Sequence, residues 1–211
     1  MNTLIIGIAG THSTGKSTFV ETLQERISSQ GFRAEKIGDL ATNARSKGFP
    51  ILRDHTFEST LWLMATGIQR ELEALNSQPD VLFVDRPLPD ALGYLFAALD
   101  HRAEMIRIEE RRYLVDLARN HAQRYGIVFL TSPDQSMGID KSKERDHDEA
   151  FRMNVARQMP KVFTELGINT RTLTFRNRGQ VLDETVAEIL GHLNGIKPIV
   201  TSGSSTSGAL R

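Results

Sequence analysis

From Gly10 to Ser17 the chain reads Gly-Thr-His-Ser-Thr-Gly-Lys-Ser, small and polar residues closed by an ammonium and a hydroxyl. These residue types at this spacing suit the binding of a polyphosphate. Gly10 and Gly15 permit a tight turn whose successive N–H groups face inward, and a helix beginning at Lys16 adds partial positive charge at the same point. Thr11, His12, Ser13 and Thr14 fill the turn, Lys16 brings its charge to the outer phosphates, and the Ser17 hydroxyl is placed to ligate magnesium. Thr18 is a second hydroxyl of unassigned role beside them. His12 reads as a loop residue facing solvent or the substrate mouth rather than as a catalytic group.

A second acidic signal lies downstream. Val81-Leu82-Phe83-Val84-Asp85 is an apolar strand ending in a carboxylate, which is how a Walker B aspartate reaches the magnesium shell. Alone, Asp85 would read better as a cap for the helix starting near Pro89. With a phosphate cradle upstream the metal reading gains, and the two segments together make a P-loop nucleotide site.

Such a site needs strands that end at one edge and helices that begin there. Five apolar runs have that form: Thr3 to Ala9, Arg33 to Ile37, Val81 to Val84, Ile127 to Thr131 and Thr170 to Phe175. Helical periodicity fills the intervals: Lys16 to about Gln30 with Gly31 as its stop, Phe57 to Asn76, Pro89 to Leu99, Arg102 to Tyr125, Asp148 to Leu166 and Val181 to Leu193. Pro160 is expected to kink or interrupt the fifth of these. The alternation predicts an α/β three-layer fold with a parallel five-stranded sheet and helices on both faces. One domain is expected over residues 1–197, followed by a flexible tail over 198–211, rich in Ser, Thr and Gly.

The 211 residues include 39% apolar and 25% charged residues, and 26 basic side chains balance 26 acidic ones. No global field draws such a chain to nucleic acid or an anionic membrane. Cysteine is absent, which removes disulfides and thiolate chemistry and suits a reducing cytoplasm. No leader precedes the glycine-rich turn and no segment is apolar enough to span a bilayer. A homodimer is left open.

The cradle, then Asp85-Arg86-Pro87-Leu88-Pro89-Asp90-Ala91, then a charged stretch after the fourth strand resemble the nicotinamide-riboside-kinase-like AAA-type ATPases and their relatives among nucleoside and nucleotide kinases, over about Thr3 to Leu193. The resemblance implies a strand order of 2-3-1-4-5 and transfer of the γ-phosphoryl of Mg-ATP to a small acceptor. It also implies that Asp85 and Arg86 contact the acceptor or the magnesium. Thr131-Ser132-Pro133-Asp134 stands where a GTPase would carry Asn-Lys-x-Asp, so ATP is preferred to GTP.

In kinases of similar build an acid at the end of the second strand takes the acceptor's proton, which nominates Asp39; a helix cap over Leu40 to Ser46 is the equal alternative. Arg45 either grips an acceptor anion or lies solvated on that helix. On the long second helix Trp62 and Met64 read as core, whereas Gln69 could read an amide edge of the acceptor. The mixed charges of Asp140 to Asp148, preceded by Gly138, fall where related kinases place a lid; the resemblance singles out Arg145 as its phosphate-facing arginine, with Arg152 in reserve, though the double arginine of adenylate kinases is missing. After the last strand, Arg178 either stacks on adenine or ends a plain turn. A different reading is an ATPase that acts as a switch or sensor for a partner protein. A nucleic-acid end kinase is disfavoured by the balanced charge.

Overall fold

The computed structural model describes residues 3–11, 14–38, 40–132 and 149–195. Within them five strands form one sheet: β1 (Leu4–Gly10), β2 (Ala34–Ile37), β3 (Val81–Asp85), β4 (Tyr125–Thr131) and β5 (Arg171–Leu173), in the order β2-β3-β1-β4-β5. All four pairings are parallel. Leu4 aligns with Val81 and Ile8 with Asp85, so β1 and β3 deliver the glycine turn and the acidic strand end to the same edge. The order leaves β1 at the centre, and each of its seven residues is buried, as a strand covered on both faces requires.

The helices are α1 (Lys16–Ser28), α2 (Leu40–Ser46), α3 (Phe57–Asn76), α4 (Leu88–Arg102), α5 (Ile108–Ala122), α6 (Glu149–Leu166) and α7 (Arg178–Leu193), with a 3-10 turn at Leu52–Asp54. One face of the sheet packs on α1 and α7, where Phe19 meets Phe129 edge to face with centroids 5.5 Å apart. The other face carries the larger core of α3, α4, α5 and α6. Gly93 lets α4 approach α6 so closely that a Cβ there would overlap the Met159 side chain.

Several boundaries differ from expectation for local reasons. Helix α1 ends at Ser28 and its last carbonyls are closed by Ser29, Gln30 and Gly31, the last with φ 86°. Helix α4 runs to Arg102 and stops where Ala103 turns left-handed, so α5 begins only at Ile108 and not at Arg102. Helix α6 passes through Pro160 without interruption. Among the described residues no helix is long and apolar enough to cross a membrane. The expected tail over 198–211 lies outside the described residues.

Candidate nucleotide and acceptor site

The turn after β1 meets the start of α1 through a left-handed Gly15, φ 77°, over which the Arg178 guanidinium lies so closely that any Cβ would collide with it. Gly10, φ 125°, is equally constrained by the Thr131 hydroxyl. Helix α1 has no side-chain cap and no acidic residue in its first turn, so the N–H groups at its start remain for an anion. The buried Thr11 hydroxyl has no hydrogen-bond partner among the described residues. Lys16, only 5% exposed, curls back and donates to the Thr11 carbonyl and, at 3.2 Å, to the Thr14 hydroxyl. Thr14 Oγ1 is 2.7 Å from Thr131 Oγ1, which donates to the Ala9 carbonyl. The cradle is thus tied to the end of β4. These features fit a phosphate chain: uncapped donors, a buried hydroxyl without a partner among the described residues, and a buried lysine turned back onto the loop.

Ser17 Oγ donates to Asp85 Oδ2 at 2.8 Å on the exposed side of the loop. A hydroxyl and a single carboxylate are the few protein ligands that magnesium takes when phosphates complete its shell, and no cluster of three or more metal-ligating side chains exists among the described residues.

Asp90 joins this edge to a second compartment. It is 2% exposed, accepts from Gly10 N at 2.7 Å through Oδ1 and from Arg86 at 2.8 Å through Oδ2. Burial pushes its pKa up, while Arg86, Lys16 and the Gly10 amide work in the opposite direction. Arg86 itself has φ 74°, a costly backbone for a side chain of its size, held by its N–H on the Ile8 carbonyl. Its guanidinium lies 5.1 Å from the Tyr94 ring centroid. Beyond this pair opens a cleft walled by Leu40, Leu52, Leu63, Met64, Ala91 and Tyr94 among others.

Behind the Arg86-Pro87 turn lies a buried polar group. Tyr125 donates to Glu71 Oε1 at 2.8 Å and accepts from Leu88 N, while His121 meets Glu71 Oε2 at 2.7 Å. It fixes the start of α4, and hence the segment that carries Arg86 and Asp90.

Of the expected site residues, Gly10, Thr11, Thr14, Gly15, Lys16, Ser17, Asp85, Arg86 and Arg178 come together. Arg178 donates to the Thr14 carbonyl at 3.3 Å and packs 5.5 Å from the Phe175 ring centroid. Thr18 is exposed on α1. Gln69 is placed away from the cleft: it is exposed on α3 and donates to Glu73 at 2.9 Å, a helical i,i+4 pair. Arg45 is exposed on α2 and does not line the cleft. His12, Ser13, Asp39, Gly138 and Arg145, with the rest of the charged stretch, lie outside the described residues. Arg152 is 6% exposed, and its Nε has no hydrogen-bond partner among the described residues. Asp90, Tyr94, His55 and Thr131 were not singled out from the sequence. Only Asp90 carried a signal, its i,i+4 spacing from Arg86.

A parallel 2-3-1-4-5 sheet with a glycine-rich turn leading from its central strand into a helix defines a P-loop NTPase, a class of kinases and ATP hydrolases. Residues 5–179 match the model of the AAA domain family, and the chain belongs to that family. No curated protein matches the chain significantly. Its fold is similar to the crystal structure of NadR protein in complex with NR, with a TM-score of 0.62 and 13% identity over 93% of this chain. It is equally similar to NadR protein in complex with NAD and AMP-PNP, with a TM-score of 0.62 and 15% identity over 93% of this chain. In both comparisons the chain spans 51% of the length of the matched protein.

Proposed function

We propose that the protein is a small-molecule kinase that transfers the γ-phosphoryl of ATP to a nucleoside, nucleotide or nucleoside-like acceptor. The observation that carries this reading is the Asp90 bridge. One buried carboxylate holds both Gly10 of the cradle and Arg86 at the wall of an apolar cleft, so donor and acceptor compartments share a rigid joint. A hydrolase that used water alone would not need the second compartment. The similar NadR structures, in complex with NR or with AMP-PNP, support the same reading.

Mg-ATP supplies the phosphoryl group and the cation that draws charge from it. The chain's own contribution is position and field. Lys16 exchanges Thr11 and Thr14 for phosphate oxygens, the start of α1 donates N–H groups, and Ser17 and Asp85 hold magnesium. Arg178 with Phe175 flanks the nucleotide beyond Gly15. Arg86 orients the acceptor, and Asp39 or Asp85 takes up the acceptor hydroxyl's hydrogen bond. Arg145, or Arg152 in reserve, neutralises charge as it develops, a contribution worth on the order of a thousandfold in rate where such an arginine acts. The protein works in the cytoplasm on this reading.

The test is ADP release from ATP and magnesium across a panel of nucleosides, nucleotides and ribosides. One acceptor is expected to raise turnover far above the rate with water, and Lys16→Ala to abolish that turnover and weaken AMP-PNP binding. Asp85→Asn is expected to shift the magnesium dependence to higher concentrations. Turnover that no acceptor stimulates would leave a hydrolase in place of a kinase, and undiminished AMP-PNP affinity in Lys16→Ala would remove the cradle assignment.

A further inference from the structure

The cleft beside the cradle is almost wholly apolar, and its polar groups are few enough to state what it accepts. Among the described residues Arg86 and Asp90 are the only charged side chains that line it, and they face each other at 2.8 Å. Their charges cancel there. Among the described lining residues a cationic ring would meet Arg86 with no free carboxylate to offset it, because Asp90 is already bonded to Arg86 and to Gly10 N. Among the same residues a phosphorylated acceptor would meet a buried carboxylate and no unpaired cation. Either charge would leave water for walls such as Leu52, Leu63, Met64 and Ala91, at a cost that no described lining residue repays.

The other polar groups that line the cleft are the Tyr94 hydroxyl and, 4% exposed, His55. Its ring is stacked on Tyr94 at 5.7 Å, and its Nδ1 lies 2.9 Å from the Leu52 carbonyl. A carbonyl can only accept, so Nδ1 carries the proton and Nε2 keeps a lone pair. Burial lowers the ring's pKa to about 4, so that lone pair persists at neutral pH. Nε2 has no hydrogen-bond partner among the described residues, and an acceptor in an apolar wall suits a ligand that brings a donor.

We propose that this cleft takes a neutral, flat, largely apolar alcohol of nucleoside size that presents an N–H or O–H donor to His55 Nε2, and that it discriminates against cationic ribosides and phosphorylated acceptors. The acceptor's reacting hydroxyl lies toward Arg86 and Asp90, which touch the cradle. This narrows the acceptor class of the proposed kinase and rests on that reading. It also sets the protein apart from a binder of NR (nicotinamide riboside), whose ring is a cation.

The test titrates uridine, thymidine, inosine, nicotinamide riboside and uridine 5′-phosphate against the full chain by calorimetry, with and without AMP-PNP and magnesium, and follows ADP release with ATP. A neutral nucleoside is expected to bind, and to exceed nicotinamide riboside and uridine 5′-phosphate at least tenfold in kcat/KM. His55→Asn preserves a donor for the Leu52 carbonyl and removes the Nε2 acceptor. It should raise the nucleoside's KM about tenfold, the worth of one hydrogen bond, with AMP-PNP affinity unchanged. Gly67→Leu, which places a side chain between Leu40 and Leu88 at the cleft wall, should weaken the same nucleoside without touching AMP-PNP. Preference for nicotinamide riboside or uridine 5′-phosphate, or an unaltered KM in His55→Asn, overturns the proposal. AMP-PNP binding with no neutral nucleoside bound overturns it and leaves the nucleotide site standing; nucleoside binding to the free chain without AMP-PNP binding overturns the kinase reading and keeps the cleft.

Discussion

His55 shows how one side chain serves stability and specificity together. Burial is the main cause of its low pKa, the nearby Arg86 and Arg102 add to it, and the Leu52 carbonyl and Asp54 oppose it. Between about 4 and 6.5 the unfolded chain binds a proton that the folded chain refuses, so stability rises with pH through that window. The penalty is complete below the folded value and gone above the unfolded one; a drop from 6.5 to about 4 corresponds to about 3 kcal/mol. Urea unfolding of the parent and of His55→Asn at pH 7 and pH 4 measures it. The parent's excess loss on acidification should approach that figure, and parallel losses would mean that His55 titrates normally. Nothing in the sequence around His55 announces this role, because the groups that bury it, Tyr94 above all, arrive from another helix. The cradle is the opposite case. Gly10, Gly15, Lys16 and Ser17 are legible as a unit because their function depends on backbone geometry set within eight residues.

Legibility at the level of elements follows the same division between local and distant causes. Helix α3 has the expected limits, since Thr56 and Ser59 cap each other reciprocally at its start. The end of α4 was missed because Ala103 adopts a left-handed backbone that no glycine advertises. The Glu71, His121 and Tyr125 group was also invisible, its members lying 50 and 54 residues apart along the chain. That group joins α3, α5, β4 and the first turn of α4, and its loss should be felt as stability. Tyr125→Phe leaves Leu88 N and Glu71 Oε1 without their partner in a buried position, which predicts a loss of about 1–3 kcal/mol. Chemical denaturation with an unchanged m-value would register it, and a change below a few tenths would show that water replaces the hydroxyl.

For the whole molecule, the alternation of elements made the parallel sheet legible and the family resemblance supplied its strand order, whereas the cleft was not legible, because it forms from α2, α3, α4 and the 52–54 turn only once they pack. The balance of 26 basic and 26 acidic side chains predicts weak colloidal repulsion near neutral pH. Precipitation by polyethylene glycol should require least precipitant near pH 7 and more on either side; a minimum displaced by two pH units would reveal charges strongly shifted by folding. The tie from Gly10 N to Asp90 has a further consequence for the timing of motions. An amide fixed on a buried carboxylate exchanges its hydrogen with solvent only when β1 and α4 separate, so Gly10 reports that separation directly. If the two compartments open as one, nucleoside bound in the cleft will slow deuterium uptake at Gly10, a residue it never touches.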